Sequence, residues 1–267
     1  LDATDRYLPG YDENSPLQIE ICAPVREPNG LRSFGPIGKT KNGHSVVVRL
    51  RYGDVRVLLG GDLNAQAERY LLEHYTSLDP DTANADTQAQ LIASAGAVFG
   101  ADVAKSCHHG SADFTDLFLR VIGAVATVIS SGDNESHAHP RPDTLGAIGK
   151  NGRGTRPLIF STELSRSSRE LTPKPSNMDG KLLLKSVALQ EADSTGERSR
   201  LRGDIAALKE RTVAVYGMIN LRTDGEKVLL AYKLEKPGPG GREFDVHLLV
   251  QGDDGLLHYA GGPSDLD

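Results

Sequence analysis

The chain has 267 residues, enough for one large hydrophobic core or two smaller ones. Apolar residues make up 38% and charged residues 25%, and the net charge of −6 argues against a broadly basic nucleic-acid surface while leaving room for a local basic groove. No run is apolar for long enough to span a bilayer, so no membrane association is expected; Cys22 and Cys107 form no CxxC or knottin-like spacing, so the setting expected is reducing and cytoplasmic.

Residues 17–24 alternate apolar and polar side chains and stop at Pro24, which reads as a strand. A Gly-, Pro- and Lys-rich loop is expected over 25–43. Residues 44–51 and 55–59 flank Tyr52-Gly53-Asp54 as a hairpin, and its second strand runs into Gly60-Gly61-Asp62. Helices are expected over 65–75, where Ala67, Tyr70 and Leu71 recur at helical spacing, and over 88–99. A short strand over 101–105 leads into Ser106-Cys107-His108-His109-Gly110-Ser111, and 113–120 opens the next helix. The apolar run 124–130 reads as a buried strand that ends in a polar loop, Ser131 to Pro140, carrying Asn134, His137 and His139. A short helix over 142–150 and a strand over 157–162 complete an alternation that argues a layered α/β architecture.

Beyond this the pattern changes. Residues 163–180 are rich in Ser, Arg, Pro and Lys and read as a linker, with Arg166, Arg169 and Lys174 as its basic cluster. A charged helix over 197–210 precedes strands over 212–222 and 227–234 that flank Thr223-Asp224-Gly225-Glu226, a strong hairpin signal. Residues 243–250 and 256–259 continue the meander. The division expected is a main domain over 1–165, a linker over 166–196, and a helix plus antiparallel β-meander over 197–267. The meander is either an appended module or an edge extension of the main sheet.

Three sets of ligand-capable side chains each follow a strand: Asp62, the His108–His109 pair, and His137 with His139. Open α/β sheets place ligands beyond the carboxyl ends of their strands, and imidazole and carboxylate are the ligands of hydrolytic zinc and manganese sites. Adjacent histidines on an extended strand would point to opposite faces. Cys107 has no nameable base and orienting acid, so a thiol nucleophile is not expected. His44, His74, His247 and His258 read as structural or surface residues.

Taken in order, Asn42-Gly43-His44-Ser45 ahead of a Val-rich strand, Gly60-Gly61-Asp62, His108-His109-Gly110-Ser111, and Asn134 with His139-Pro140 resemble the later half of a metallo-β-lactamase-fold hydrolase. The flavour is that of the ComEC-type competence-protein nuclease domain, and the resemblance covers roughly residues 17–162. It implies an αβ/βα sandwich and two divalent metal ions, zinc or manganese, that activate water for phosphodiesterase or nuclease chemistry on DNA or RNA. In that reading Asp62 bridges the ions, His109 and His139 are metal ligands, and His108 or His109 lies at the metals or the scissile phosphate. Ser111, Asn134 and His137 would contact substrate.

The family's principal His-x-His-x-Asp-His motif has no counterpart, since no histidine precedes His44. The expectation is that an N-terminal half or a partner subunit completes the site, in a homo- or hetero-oligomer. The alternatives are hydrolysis of a lactone, thioester or small phosphoester, and a degenerate subunit that binds a partner.

Overall fold

In a computed structural model, the residues described are 6–27, 30–132, 137–163, 175–209, 217–234 and 237–262. The chain divides into two compact units: one spans 1–165 and 217–267, the other Arg166–Tyr216.

The larger unit is built on a six-stranded sheet of order β1-β2-β3-β4-β5-β6, formed by β1 (Leu17–Ala23), β2 (Val47–Tyr52), β3 (Val55–Leu59), β4 (Val103–Lys105), β5 (Ala126–Ile129) and β6 (Leu158–Ser161). The first three are antiparallel, and β3 to β6 run parallel. Gly53, at φ +58°, closes the tight β2–β3 turn. The parallel strands alternate with helices: α2 (Ala65–Thr76) and α3 (Ala85–Phe99) before β4, α4 (Asp116–Ile122) before β5, and α5 (Pro142–Asn151) before β6. Each of the first three is started by a side-chain cap: Asn64, Asn84 and Thr115 accept from Ala67, Thr87 and Phe118 N–H groups. The expected 25–43 loop also holds one short helix, α1 (Ile37–Gly43).

Side-chain alternation sorts the sheet's two faces. Leu58, Ala104, Val47 and Cys22 pack with Leu71, Leu72, Leu91, Phe99 and Phe118 on the helix side. Val55, Val103, Ala126, Leu158 and Phe160 point the other way and pack with Val228, Leu230, Leu249 and Leu257. Those four belong to a second, antiparallel sheet of order β10-β9-β8-β7, made of β7 (Ile219–Thr223), β8 (Val228–Lys233), β9 (Phe244–Gln251) and β10 (Leu257–Gly261). The C-terminal meander is therefore not an edge extension of the main sheet but an appended sheet of its own. It covers one face of the main sheet, because both surfaces present an apolar row that must leave water. The two hairpin turns also meet, with Asp54 N–H donating to Gly225 O at 2.8 Å.

The smaller unit holds α6 (Pro175–Glu191) and α7 (Thr195–Lys209). Lys185 and Asp204 tie the two helices at 2.6 Å, and Arg198 Nε reaches Ala192 O at 2.9 Å. Where the sequence reads as a linker, a 17-residue helix stands. Arg166, Arg169 and Lys174 lie outside the described residues, as does the 212–216 part of the expected strand.

Both cysteines are free. Among the described residues no helix is long and apolar enough to cross a membrane.

Candidate functional site

The loops after β3, β4 and β5 leave the carboxyl edge of the sheet side by side. Gly60 lets the first pass against Cys107, since a β-carbon there would collide with the Cys107 sulfur. His108 N–H and Lys105 Nζ both donate to Gly61 O, at 3.0 and 3.2 Å, so the β4 loop is stapled to the β3 loop. Asp62 N–H donates to Ser45 Oγ at 2.9 Å, which orients the aspartate at the start of the turn that Asn64 caps.

The two histidines do not continue the strand. β4 stops at Lys105, and residues 107–110 form one tight helical turn in which His108 (φ 45°, ψ 46°), His109 (φ 53°, ψ 22°) and Gly110 (φ 80°) are all left-handed. The opposite-faces expectation assumed an extended chain and does not apply. Each non-glycine residue in this region costs about 1 kcal/mol, and such conformations persist where the surroundings hold them, often at functional sites. Here the hold is the packing of Gly110 against Pro140, where a β-carbon would come within 2.8 Å, together with Arg141 N–H donating to Gly110 O at 2.8 Å.

The result is a corner with two kinds of histidine. His109 Nδ1 lies 2.6 Å from Ser130 O. A carbonyl only accepts, so Nδ1 carries the proton and the lone pair sits on Nε2, 3.4 Å from Asp62 Oδ1. Two acceptors facing each other across that gap call for a cation between them or a proton on the imidazole. A backbone carbonyl fixing the tautomer of a ligand imidazole is the usual outer support of a metal-binding histidine. His108 instead meets the Asn42 side-chain nitrogen through Nε2 at 3.3 Å, while its Nδ1 is buried with no hydrogen-bond partner among the described residues. Burial pushes the His108 pKa down, Asp62 opposes the shift, and His139 reinforces it.

His139 belongs to the His108 side of the corner, with ring centroids 5.6 Å apart, and the exposed His137 stacks on His139 at 5.7 Å. The Ser111 hydroxyl accepts from Asp113 N–H at 3.2 Å. Asn134 lies outside the described residues. Among the described residues, Lys105 Nζ comes within 4.0 Å of Asp62, and Lys39 pairs with Asp113 at 2.9 Å. Neither lysine stands out in the sequence. Asn42 and Ser45 do, as the polar positions of the Asn-Gly-His-Ser run before β2. Cys107 packs against the helix-side core, and burial pushes its thiol pKa far up, which agrees with an inert sulfur.

Of the expected ligand trio, the structure brings Asp62 and His109 together and places His139 beside His108 instead. The Asp62–His109 pair fits one edge of a divalent-ion site by donor chemistry and tautomer. Among the described residues no three His, Cys, Asp or Glu side chains gather as a metal cage does, so the edge is not a shell.

No protein-family model matches this chain, and no curated protein or solved structure matches it. What fold and site define is an α/β protein with a mixed six-stranded sheet, a separate four-stranded antiparallel sheet, and a histidine–aspartate corner at the carboxyl ends of its parallel strands.

Proposed function

We propose that this corner is the hydrolytic site of a metal-dependent phosphodiesterase or nuclease of metallo-β-lactamase type, its remaining metal donors supplied from outside the described residues. The observation that carries the reading is His109. Its Nδ1 proton is committed to Ser130 O, and its Nε2 faces Asp62 Oδ1 at 3.4 Å. The chemistry a divalent ion would supply there is a bound water of lowered pKa and compensation of charge on a phosphoryl oxygen. Asp62 and His109 would hold the ion, with Ser45 and Ser130 O fixing their orientation. Lys105, 4.0 Å from Asp62, adds positive charge for an anionic substrate. His108 and His139 lie beside this pair, their ring centroids 5.6 Å apart, and burial, which pushes the His108 pKa down, favours a His108 ring that can accept a proton or a hydrogen bond.

The test is manganese or zinc binding by titration calorimetry, run beside cleavage of plasmid DNA, RNA and an activated phosphodiester. Side chains of His109 and Asp62 are 47% and 38% exposed, so Asp62→Ala and His109→Ala should fold. Each is expected to weaken metal binding at least tenfold and to lower cleavage by about 100-fold or more. Wild-type metal affinity and activity in both variants would remove the proposal. Cleavage of lactones or thioesters with no action on polynucleotides would transfer the same site to a small substrate.

A further inference from the structure

At the opposite, amino-terminal edge of the parallel strands lies a polar cavity of about 290 Å³, lined by Arg49, Arg51, Arg56 and Asp54 with the Gly96–Ala97 turn of α3 and the Gly255–Leu256 turn before β10. Arg56 stands near the amino end of β3 and Asp62 follows the Gly60–Gly61 turn beyond its carboxyl end, and none of the corner's side chains lines this cavity.

The arginines are placed by the strands. Arg49 and Arg51 alternate onto one face of β2, and Arg51 stands directly across from Arg56 on β3. Like charges at such a cross-strand position destabilise a sheet. Neighbouring carboxylates do not neutralise the cluster, because each is already shared. Glu20 sits between Arg6 and Arg49, and Asp102 between Arg56 and Arg153. Both are buried, so their charge is committed to those pairs. The cavity lining itself carries three guanidinium groups and one carboxylate, Asp54. Arg49 is held in place by Ala97 O and Glu20. The exposed Arg51 side chain makes one bond among the described residues, Nε to Gly53 O at 3.2 Å, and lines the cavity.

We propose that this cavity is a binding site for the phosphate group of a small phosphorylated compound. The guanidinium fork of Arg51 meets two phosphate oxygens, Arg56 lies across from it, and the fixed Arg49 forms the third side. The chemistry follows from the three guanidinium groups that line a half-open cavity between strand, helix end and turn. The dimensions favour a small molecule over a polymer, since the volume lies just below the roughly 300–1,000 Å³ of small-ligand pockets. A bound phosphate also relieves the Arg51–Arg56 repulsion.

The experiment uses the full chain carrying Asp62→Ala, in EDTA, so that the corner contributes nothing. Inorganic phosphate and a sugar monophosphate are titrated by calorimetry and by thermal unfolding, against chloride at matched ionic strength. Saturable binding and a phosphate-dependent rise in Tm are expected. Arg51→Gln should weaken binding tenfold or more, whereas Arg51→Lys retains the charge without the fork and falls between. Because Arg51→Gln also removes the like-charge pair, its Tm without phosphate should equal or exceed that of the parent, which separates lost binding from lost folding. A phosphate response no larger than that of chloride, or one unchanged in Arg51→Gln, overturns the proposal. So does an oligonucleotide that binds through Arg51 while inorganic phosphate does not.

Discussion

Glu68 shows how a single residue couples the corner to the core. It lies on α2 and is fully buried, its Oε2 accepting from Thr115 N–H at 2.6 Å and Thr115 Oγ1 at 2.8 Å, so the residue capping α4 is itself held by a carboxyl group. Burial pushes the Glu68 pKa up to about 8, against the pull of the two Thr115 bonds. In the unfolded chain the value is about 4.3. Between these limits the folded state keeps a proton that the unfolded state has lost, so stability falls as pH rises through the window and levels off above it. Glu68→Gln keeps an accepting oxygen without the titration. The Tm of wild type relative to this variant is expected to fall by several degrees between pH 5 and pH 8.5, and parallel Tm–pH curves would contradict it. Such a role was not legible in sequence, because Glu68 reads there as an ordinary helix-surface acid. Asp62 and the His108–His109 pair were legible, since both follow strands in a recognisable order. The contact of Asn42 with His108 was not, as 66 positions separate them and only the fold brings them together.

At the scale of elements, the strands announced themselves and the helices did so unevenly. β3 falls exactly where alternation and the Gly53 turn put it, at Val55–Leu59. α2 and α3 carry their caps and apolar spacing in the sequence. α1 has no apolar stripe in its seven residues, and α6 has Leu182, Leu183 and Leu184 in succession, so neither shows a helical period. Leu183 and Leu184 are exposed in the structure, which is why the pattern gave no face to bury. The cap at Asn64 carries the most consequence, because the residue both starts α2 and follows Asp62. Its Oδ1 accepts from Ala67 N–H at 3.1 Å and its Nδ2 donates to Lys39 O at 2.8 Å. Asn64→Ala removes both bonds in a buried setting and should cost about 1–3 kcal/mol in chemical denaturation. A loss below about 0.3 kcal/mol would mean that water replaces the side chain at no cost.

For the larger unit as a whole, the governing fact is that the main sheet is apolar on both faces and is covered on each. The helices cover one face and the last four strands cover the other. Sequence patterning identified those strands but could not say where they dock, because alternation tells which residues are buried and not against what. Leu249 is fully buried in β9 at the centre of the sheet-on-sheet contact. Leu249→Ala should cost about 2–5 kcal/mol, and tertiary signals from both sheets should unfold in one transition. A β7–β10 transition well separated from that of the main sheet would show that the two layers fold independently. This face of the main sheet is thus occupied by the chain's own strands.

The left-handed run at His108, His109 and Gly110 has an evolutionary side. A backbone shape that glycine adopts freely is held here by two imidazoles, so the corner sits on a slope where drift toward glycine relaxes the turn and erases its side chains together. Selection for heat resistance alone favours that drift, and selection for the chemistry proposed here would oppose it. Lineages in which that proposed chemistry is not selected should lose these two histidines before they lose the buried residues beneath them.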